Sequence, residues 1–490
     1  MKFHKLLLII GVAVLSSGVY LLYTALTYRL GFPLDDAWIH QTYARNFAYG
    51  QGWSFEAGKP SGGATAPLWA VLLSLGYWLR LPPFFWTFLL GIGVFAGVGI
   101  LAFQVFQRIS PALGWLGLFF LFEWHFVWAS VSGMETILAI FLVIGVYVCL
   151  LSGKIGWGLA VFLAASVWIR PDLLSLSVPV LVGVLVNHRN SPHLTLRRIF
   201  PFVLVGFSLL VYGFFNLKVS GAWFPTTFYA KQAEYAELRS LPFMYRLWQQ
   251  ASISLVGGGV LLIFGIIYQA YSFVRNKAWL GLAWLGWYLL MVTIYAIRLP
   301  VTYQHGRYMM PAIVVYYLIG LEGSIGLFRR LAQSRGIGWI IARASILSWV
   351  IVTVAFWFLG ARAFARDVQF IETQMVETAK WAERNLPSNS RIAVHDIGAI
   401  GYFTSHDLVD LAGLINPEVI PFLRDESRLA DYLDQNQVDY LICFPQWYPK
   451  LTRDLTIIYT ADAVFMQAYG ELPMTIYRWR LNNFISLWME

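Results

Sequence analysis

The sequence predicts an α-helical polytopic membrane protein that carries a small α/β domain at its C-terminal end. Three observations point there. Of 490 residues, 58% are apolar and only 12% charged, about half the charged fraction of a soluble globular chain. Apolar runs recur along residues 1–360, and the basic residues gather in the short loops between them, as orientation signals do. After Gly360 the pattern changes to short apolar strands alternating with amphipathic helical stretches. The net charge of +9 comes from those loop clusters, so it does not argue for a nucleic-acid partner. Two cysteines, Cys149 in an apolar run and Cys443 far from it, make no disulfide framework.

Taken in order, residues 6–26 form the first span. The run stands behind Lys2 and Lys5, is too long for a signal h-region and has no small-x-small cleavage site, so it is expected to stay attached. A polar, Gly-rich loop over 28–66 follows. Apolar segments then recur at about 66–80, 84–106, 112–130, 134–152, 156–169, 173–187, 200–219, 252–274, 279–297, 308–327 and 338–360. Several reach the ~20 residues needed to cross, whereas 66–80, 156–169 and 173–187 are short. Placing Lys2/Lys5, Arg108, Lys154, the basic run 188–198, Arg275/Lys277 and the run 329–343 in the cytoplasm gives one self-consistent solution of eleven crossings, if 66–80 dips in and returns. Its consequence is that every polar motif lands on the extracytoplasmic side of a plasma membrane. The same reading divides the chain into a membrane domain, 1–360, and an extracytoplasmic α/β domain, 361–490. In the latter, 367–385 reads as an amphipathic helix. Strands are expected at Arg391 to Val394, Leu408 to Leu411, Tyr440 to Phe444 and Thr475 to Trp479, with helical stretches near 416–424 and 427–435.

The 28–66 loop holds the strongest signal, the adjacent pair Asp35-Asp36. Pro33 precedes it, residues 36–48 contain no breaker, and Gly50 can close a helix in the left-handed conformation. An Asp at a helix start is first of all a cap, which accounts for one carboxylate better than for two. Neighbouring helical positions point about 100° apart, so at most one faces a substrate while the other caps, orients or repels. Mutual repulsion and partial burial raise one pKa toward the value a general base needs. With Trp38, Ile39, Tyr43 and Phe47 apolar and His40, Gln41 and Arg45 polar, this helix is expected to lie flat in the membrane interface.

Four further motifs have a structural and a chemical reading. Glu135, in Ser132-Gly-Met-Glu135-Thr136, either favours a helix start through the dipole or orients the acidic pair or a substrate hydroxyl from a cavity edge. Arg170-Pro-Asp172 is either a local ion pair at a helix break or an arginine reaching a phosphate, together with its aspartate. Lys231, closing Trp223-Phe-Pro-Thr-Thr-Phe-Tyr-Ala-Lys231, and His305 with Arg307, bracketed by Tyr303 and Tyr308, either snorkel to the interface or grip a lipid-linked phosphate. The 22 Trp and 26 Tyr are mostly interfacial anchors, with a few rings free to stack on a sugar. No Walker loop, no GxGxxG behind a strand and no Cys/His metal spacing is present, which weighs against a nucleotide-driven pump. No metal ligand set is assigned and no cofactor is required, although carboxylates and water suit a divalent cation such as Mg, Ca or Mn beside the acidic pair.

The run Asp35-Asp36-Ala-Trp-Ile, Gly50-Gln-Gly, Gly63-Ala-Thr65-Ala-Pro67-Leu-Trp69, Gly133-Met-Glu135 and Arg170-Pro-Asp172 resembles the GT-C superfamily of polyprenyl-phosphate-sugar-dependent glycosyltransferases. Within it, the loop looks most like the branch containing the terminal arabinofuranosyltransferase of actinobacterial cell walls. The likeness covers the loop well and residues 1–360 in outline, and the C-terminal domain only in general type. It implies a GT-C-like fold with Asp35 as catalytic base and Asp36 as its close support. Family members differ in sugar and acceptor, so an arabinose donor does not follow.

The expected function is an inverting hexosyl- or pentosyl-transferase of the cell envelope. Its partners are a polyprenyl-phosphate sugar donor, membrane lipid, and a glycan, lipid or protein acceptor. Lys231 and Arg307, with Arg170 or His305, would neutralise the leaving phosphate. A retaining route would need a carboxylate nucleophile on the far face of the sugar, for which Glu135 is the candidate. The rivals are a transporter or flippase of lipid-linked sugar, in which the same charges line a pathway, and a non-catalytic membrane scaffold.

Overall fold

The computed structural model describes residues 2–190, 196–333, 336–468 and 470–479. The basic run 188–198, expected in the cytoplasm, falls partly on 191–195, outside the described residues, and so do positions 334–335 of the run 329–343.

Among the described residues, seven helices are long and apolar enough to cross a membrane: Phe3–Thr27, Pro83–Gln107, Arg198–Ser220, Gly257–Arg275, Trp279–Arg298, Met310–Ala332 and Ile337–Asn385. An eighth span is made if Leu113–Leu121 and Trp124–Val131, bent by 55° at the break, count together. The expected count of eleven is therefore not reached by length. The shortfall lies in Thr136–Leu151, Trp157–Ile169 and Pro171–Val186, each 10–17 residues long and below the ~20 needed for a full crossing. Thr136–Leu151 nevertheless runs between the two ends of the bundle. Glu135 before it meets His40, 3.4 Å away, and Ser152 after it accepts a hydrogen bond from Arg108 at the other end. Lys5 lies at that same end, over the rings of Phe103 and Trp115 at 5.5 and 5.7 Å. The 66–80 segment is a helix over Pro67–Trp78, too short to cross.

The Asp35–Ala48 helix forms where expected, and Gly50 follows it at φ 76°. It is covered by protein on both sides and presents no open apolar face to lipid. Ile39, His40, Gln41, Thr42, Tyr43 and Ala44 are all buried, because the helix packs between Pro67–Trp78 and Ile397–Phe403. The loop behind it folds back as a two-strand hairpin, β1 (Ser54–Glu56) and β2 (Lys59–Pro60), missed because it is so short. Asn46 Nδ2 donates to the carbonyls of Ser54 and Phe55, and the Tyr43 hydroxyl receives the N–H of Gly63 at 2.9 Å.

The last long helix does not stop at Gly360. It continues to Phe370, passes through a π-helical turn at Ile371–Val376 and ends at Asn385, so the stretch read as a separate amphipathic helix is its continuation. Beyond it come β3 (Arg391–Val394), β4 (Asp407–Asp410), β5 (Tyr440–Cys443), β6 (Thr456–Thr460) and β7 (Thr475–Arg478), in sheet order β4-β3-β5-β7-β6. Only β6, an exposed edge strand with little alternation, was not expected. β3 pairs in parallel with β4 on one side and β5 on the other, and β7 and β6 are added antiparallel. The chain thus leaves β3 in one direction and returns on its other side. In open α/β sheets, the crevice at the carboxyl ends of such strands is where ligands bind. Here those ends face the membrane bundle.

Candidate active site

A cavity of about 600 Å³ lies between the bundle and the α/β domain. Its walls come from the start of the Asp35–Ala48 helix, Trp128 of the Trp124–Val131 helix, the Thr226–Glu234 helix, the 302–307 segment, the 367–375 part of the last long helix, and the loops after β3, β4 and β5.

The two aspartates diverge, as successive helical positions must. Asp35, 8% exposed, turns to the α/β domain, where its carboxylate receives the N–H of Gly398 at 2.6 Å and of Ala399 at 2.7 Å. It therefore caps the helix Ile397–Phe403 rather than its own. Burial, and then the charge of Asp396, push its pKa up to about 8 in spite of the two N–H donors. Asp36 turns the other way. Its Oδ2 accepts from Lys231 Nζ at 3.2 Å and pairs with Arg307 Nη2. Burial opposes that charge, but Lys231 and Arg307 outweigh it and hold Asp36 well below the carboxylate range. By the same pairing, Lys231 is held above its ordinary value although burial works against it.

Arg307 owes its position to an unusual backbone. Gln304, His305 and Gly306 have φ of 54°, 57° and 66°, three left-handed residues in succession, and for a non-glycine this region costs about 1–2 kcal/mol each. At Gly306 a side chain would also meet Ile253 Cγ2 at 2.6 Å. Such strain persists where the surroundings fix it, and it clusters at functional sites. The surroundings here are Asp367, whose Oδ2 lies 2.7 Å from His305 Nε2 and accepts from Trp128 Nε1 at 2.9 Å. Arg307 is 3% exposed, and its Nε and Nη1 are buried without a hydrogen-bond partner. Buried donors are nearly always satisfied, so this guanidinium has capacity for a further anionic group.

Arg170 and Asp172 pair with each other, at 3.0 and 3.2 Å, and Tyr295 donates its hydroxyl to Asp172 at 2.7 Å. Arg170 also donates to the carbonyls of Tyr308 and Arg307, at 3.2 and 3.5 Å. Neither lines the cavity; together they brace the backbone of Arg307 from behind. Glu135 is likewise off the cavity wall, against His40. Burial raises its pKa, but the His40 hydrogen bond and the charges of His40, Arg307 and Arg170 bring it down to about 2. Of the eight residues singled out in the sequence, Asp35, Asp36, Lys231, His305 and Arg307 come together at the cavity, while Glu135, Arg170 and Asp172 support from outside it.

Sequence reasoning missed the contribution of the α/β domain. His395 and Asp396, directly after β3, line the cavity. The His395 ring stands 2.7 Å from the Tyr448 hydroxyl and 3.7 Å from Glu234, and Asp396 Oδ2 is buried and unpaired. Burial lifts Asp396 to about 6 against the pull of His395. A polar His-Asp pair at the end of an expected buried strand was the available signal. Several carboxylates border this cavity, yet among the described residues no three His, Cys, Asp or Glu side chains form a group that could hold a metal ion.

Comparison with known proteins gives a family model described as a domain of unknown function, DUF8728, over residues 364–481. No curated protein matches the chain. Among solved structures, ArnT from Cupriavidus metallidurans bound to undecaprenyl phosphate superposes with a TM-score of 0.55 at 13% identity, covering 98% of this chain and 99% of that one. The Archaeoglobus fulgidus oligosaccharyltransferase in complex with Zn and sulfate gives 0.58 at 11% identity, covering 89% and 68%. The archaeal oligosaccharyltransferase AglB from the same organism, in complex with an inhibitory peptide and a dolichol-phosphate, gives 0.55 at 11%, covering 91% and 70%. At these identities the likeness concerns the fold. This chain has a GT-C-like fold: a helical polytopic membrane protein with a C-terminal α/β region.

Proposed function

We propose that the protein is an inverting GT-C glycosyltransferase that takes a sugar from a polyprenyl-phosphate donor and joins it to a hydroxyl on the extracytoplasmic side of the plasma membrane. One observation carries this reading. Lys231 and Arg307 converge on a single carboxylate, Asp36, in a cavity at the seam of the two domains, and Arg307 keeps two buried N–H groups unpaired. A donor phosphate bound there gains two cations already held in place by Tyr308, the left-handed turn and the Arg170–Asp172 brace. Lipid phosphates in the superposable structures agree with that chemistry.

The acceptor hydroxyl attacks the anomeric carbon on the face opposite the phosphate. As the new carbon–oxygen bond forms, the bond to the phosphate oxygen breaks and the electron pair leaves with the polyprenyl phosphate, whose added charge Lys231 and Arg307 stabilise. The acceptor proton passes to Asp35. Asp36, neutralised by two cations, is a poor base, whereas the carboxylate of Asp35 is not so neutralised and binds a proton more strongly. A double displacement would call on Glu135, whose pairing with His40 away from the cavity supports the single displacement instead. The likeness of the loop motifs to the terminal arabinofuranosyltransferase branch supports a cell-envelope acceptor and leaves pentosyl and hexosyl donors both open.

The test is Asp35→Asn in purified protein, with sugar transfer and donor retention measured separately. Transfer should fall by about 10²–10⁴-fold, the usual contribution of a positioned base, with donor retention kept. Retained transfer removes Asp35 from the mechanism. Movement of sugar-lipid across vesicles by the unaltered protein, without a new glycosidic bond, would point to a flippase.

A further inference from the structure

Beside the main cavity lies a second pocket of about 300 Å³, walled by Phe370, Phe444, Gln446, Trp447, Met466 and Glu471. Phe370, Phe444 and Trp447 also line the main cavity, so an aromatic partition separates the two. Phe370 and Phe444 stack with centroids 5.9 Å apart and planes 16° from parallel, and Phe444 meets Trp447 at 4.9 Å. Trp447 also meets the ring of His395 at 4.9 Å and 70°, yet 46% of its surface stays open. The same lining holds polar groups. Gln446 Nε2 donates to Glu471 Oε2 at 2.7 Å, while Gln446 Oε1 is shielded from solvent and has no partner.

An exposed Trp on a membrane protein is ordinarily an interfacial anchor, and an isoprenoid tail would also welcome aromatic walls. Neither accounts for an amide and a carboxylate in the same pocket, one of them with an unmet acceptor. A sugar uses both kinds of lining. Its C–H face packs on an aromatic ring, and its hydroxyls satisfy polar groups that are otherwise costly to shield. The volume is at the small end of ligand sites.

We propose that this pocket is a carbohydrate subsite. It binds a sugar ring of the acceptor beside the hydroxyl being glycosylated, with Trp447 as the stacking platform and Gln446 and Glu471 as hydroxyl partners. The proposal rests on the transferase reading and narrows it, because the acceptor is then a glycan and neither a lipid alcohol nor a peptide.

The experiment uses the full chain in lipid nanodiscs on an array of free pentofuranose and hexopyranose oligosaccharides, without donor. A subset of glycans should be retained. Trp447→Ala should weaken that retention at least tenfold, Trp447→Phe should restore part of it, and Glu471→Gln should weaken it to a lesser degree. In all three, retention of undecaprenyl phosphate should change less than the glycan signal. No retained glycan, or equal retention by Trp447→Ala and the unaltered protein, overturns the subsite. A loss confined to undecaprenyl phosphate overturns it too, and assigns the pocket to the isoprenoid. Release of sugar from a polyprenyl-phosphate donor to water, measured with no glycan present, tests the transferase reading by itself, so each can fail while the other stands.

Discussion

Asp35 and Asp36 start the same helix, and the 100° rotation between neighbouring positions gives one to the N–H groups of Gly398 and Ala399 and the other to two cations. Their electrostatics part accordingly. Burial, helped by Asp396, raises Asp35 to about 8. A base acts in its deprotonated form, so kcat/KM should climb about tenfold per pH unit below that value and level off above it. A profile flat between pH 6 and 9 would count against Asp35. For Arg307, the shape of the group matters as well as its charge. Its planar fork binds Asp36 with one nitrogen and leaves others free, and a lysine cannot reproduce this. Arg307→Lys should weaken donor retention by tenfold or more, about 1.4 kcal/mol, as read by titration with undecaprenyl phosphate. Unchanged affinity would mean that the phosphate lies elsewhere.

At the scale of elements, the site depends on one close contact between the membrane bundle and the C-terminal α/β region. The Ile397–Phe403 helix packs on Asp35–Ala48 so tightly that a side chain at Gly398 would stand 2.6 Å from the Asp35 carboxylate and would also collide with its carbonyl. Gly398→Ala should therefore push the two helices apart, destabilise the protein by about 1–3 kcal/mol and remove transfer. Thermal unfolding and donor turnover would measure this, and an unchanged midpoint would show that the contact is slack. The 304–306 turn is the second such element. Its left-handed residues are Gln304, a type that does not announce a positive φ, and His305 and Gly306, which tolerate one, so the sequence marked the bend that aims Arg307 only at its second half. Arg45 adds a further tie, donating to the carbonyl of Tyr402 at 2.8 Å while its guanidinium lies over the Tyr402 ring.

At the scale of the molecule, Lys5 and Arg108 gather at one end of the bundle and the cavity and sheet at the other. Single cysteines at Asp407 and Arg108, both exposed, in a background with Cys149 and Cys443 replaced by alanine, should react with an impermeant maleimide from opposite sides of the membrane, Asp407→Cys from outside. Labelling of both from one side would break the proposed orientation.

Hydropathy determined the class of this protein, because 58% apolar residues gathered in long runs with only 12% charged residues leave little choice but lipid. Local pattern also located four of the five sheet strands and the acidic helix start, and it singled out Lys231 and Arg307 as cations for a lipid-linked phosphate. Which aspartate meets which partner, why Arg170 and Glu135 stand behind the cavity, and how His395, Asp396 and Trp447 enter its walls were decided only by tertiary structure. The physical reason is range. Periodicity and capping act within a few residues, whereas the contact of Asp35 with Gly398 joins positions 363 residues apart, and no local rule carries that information.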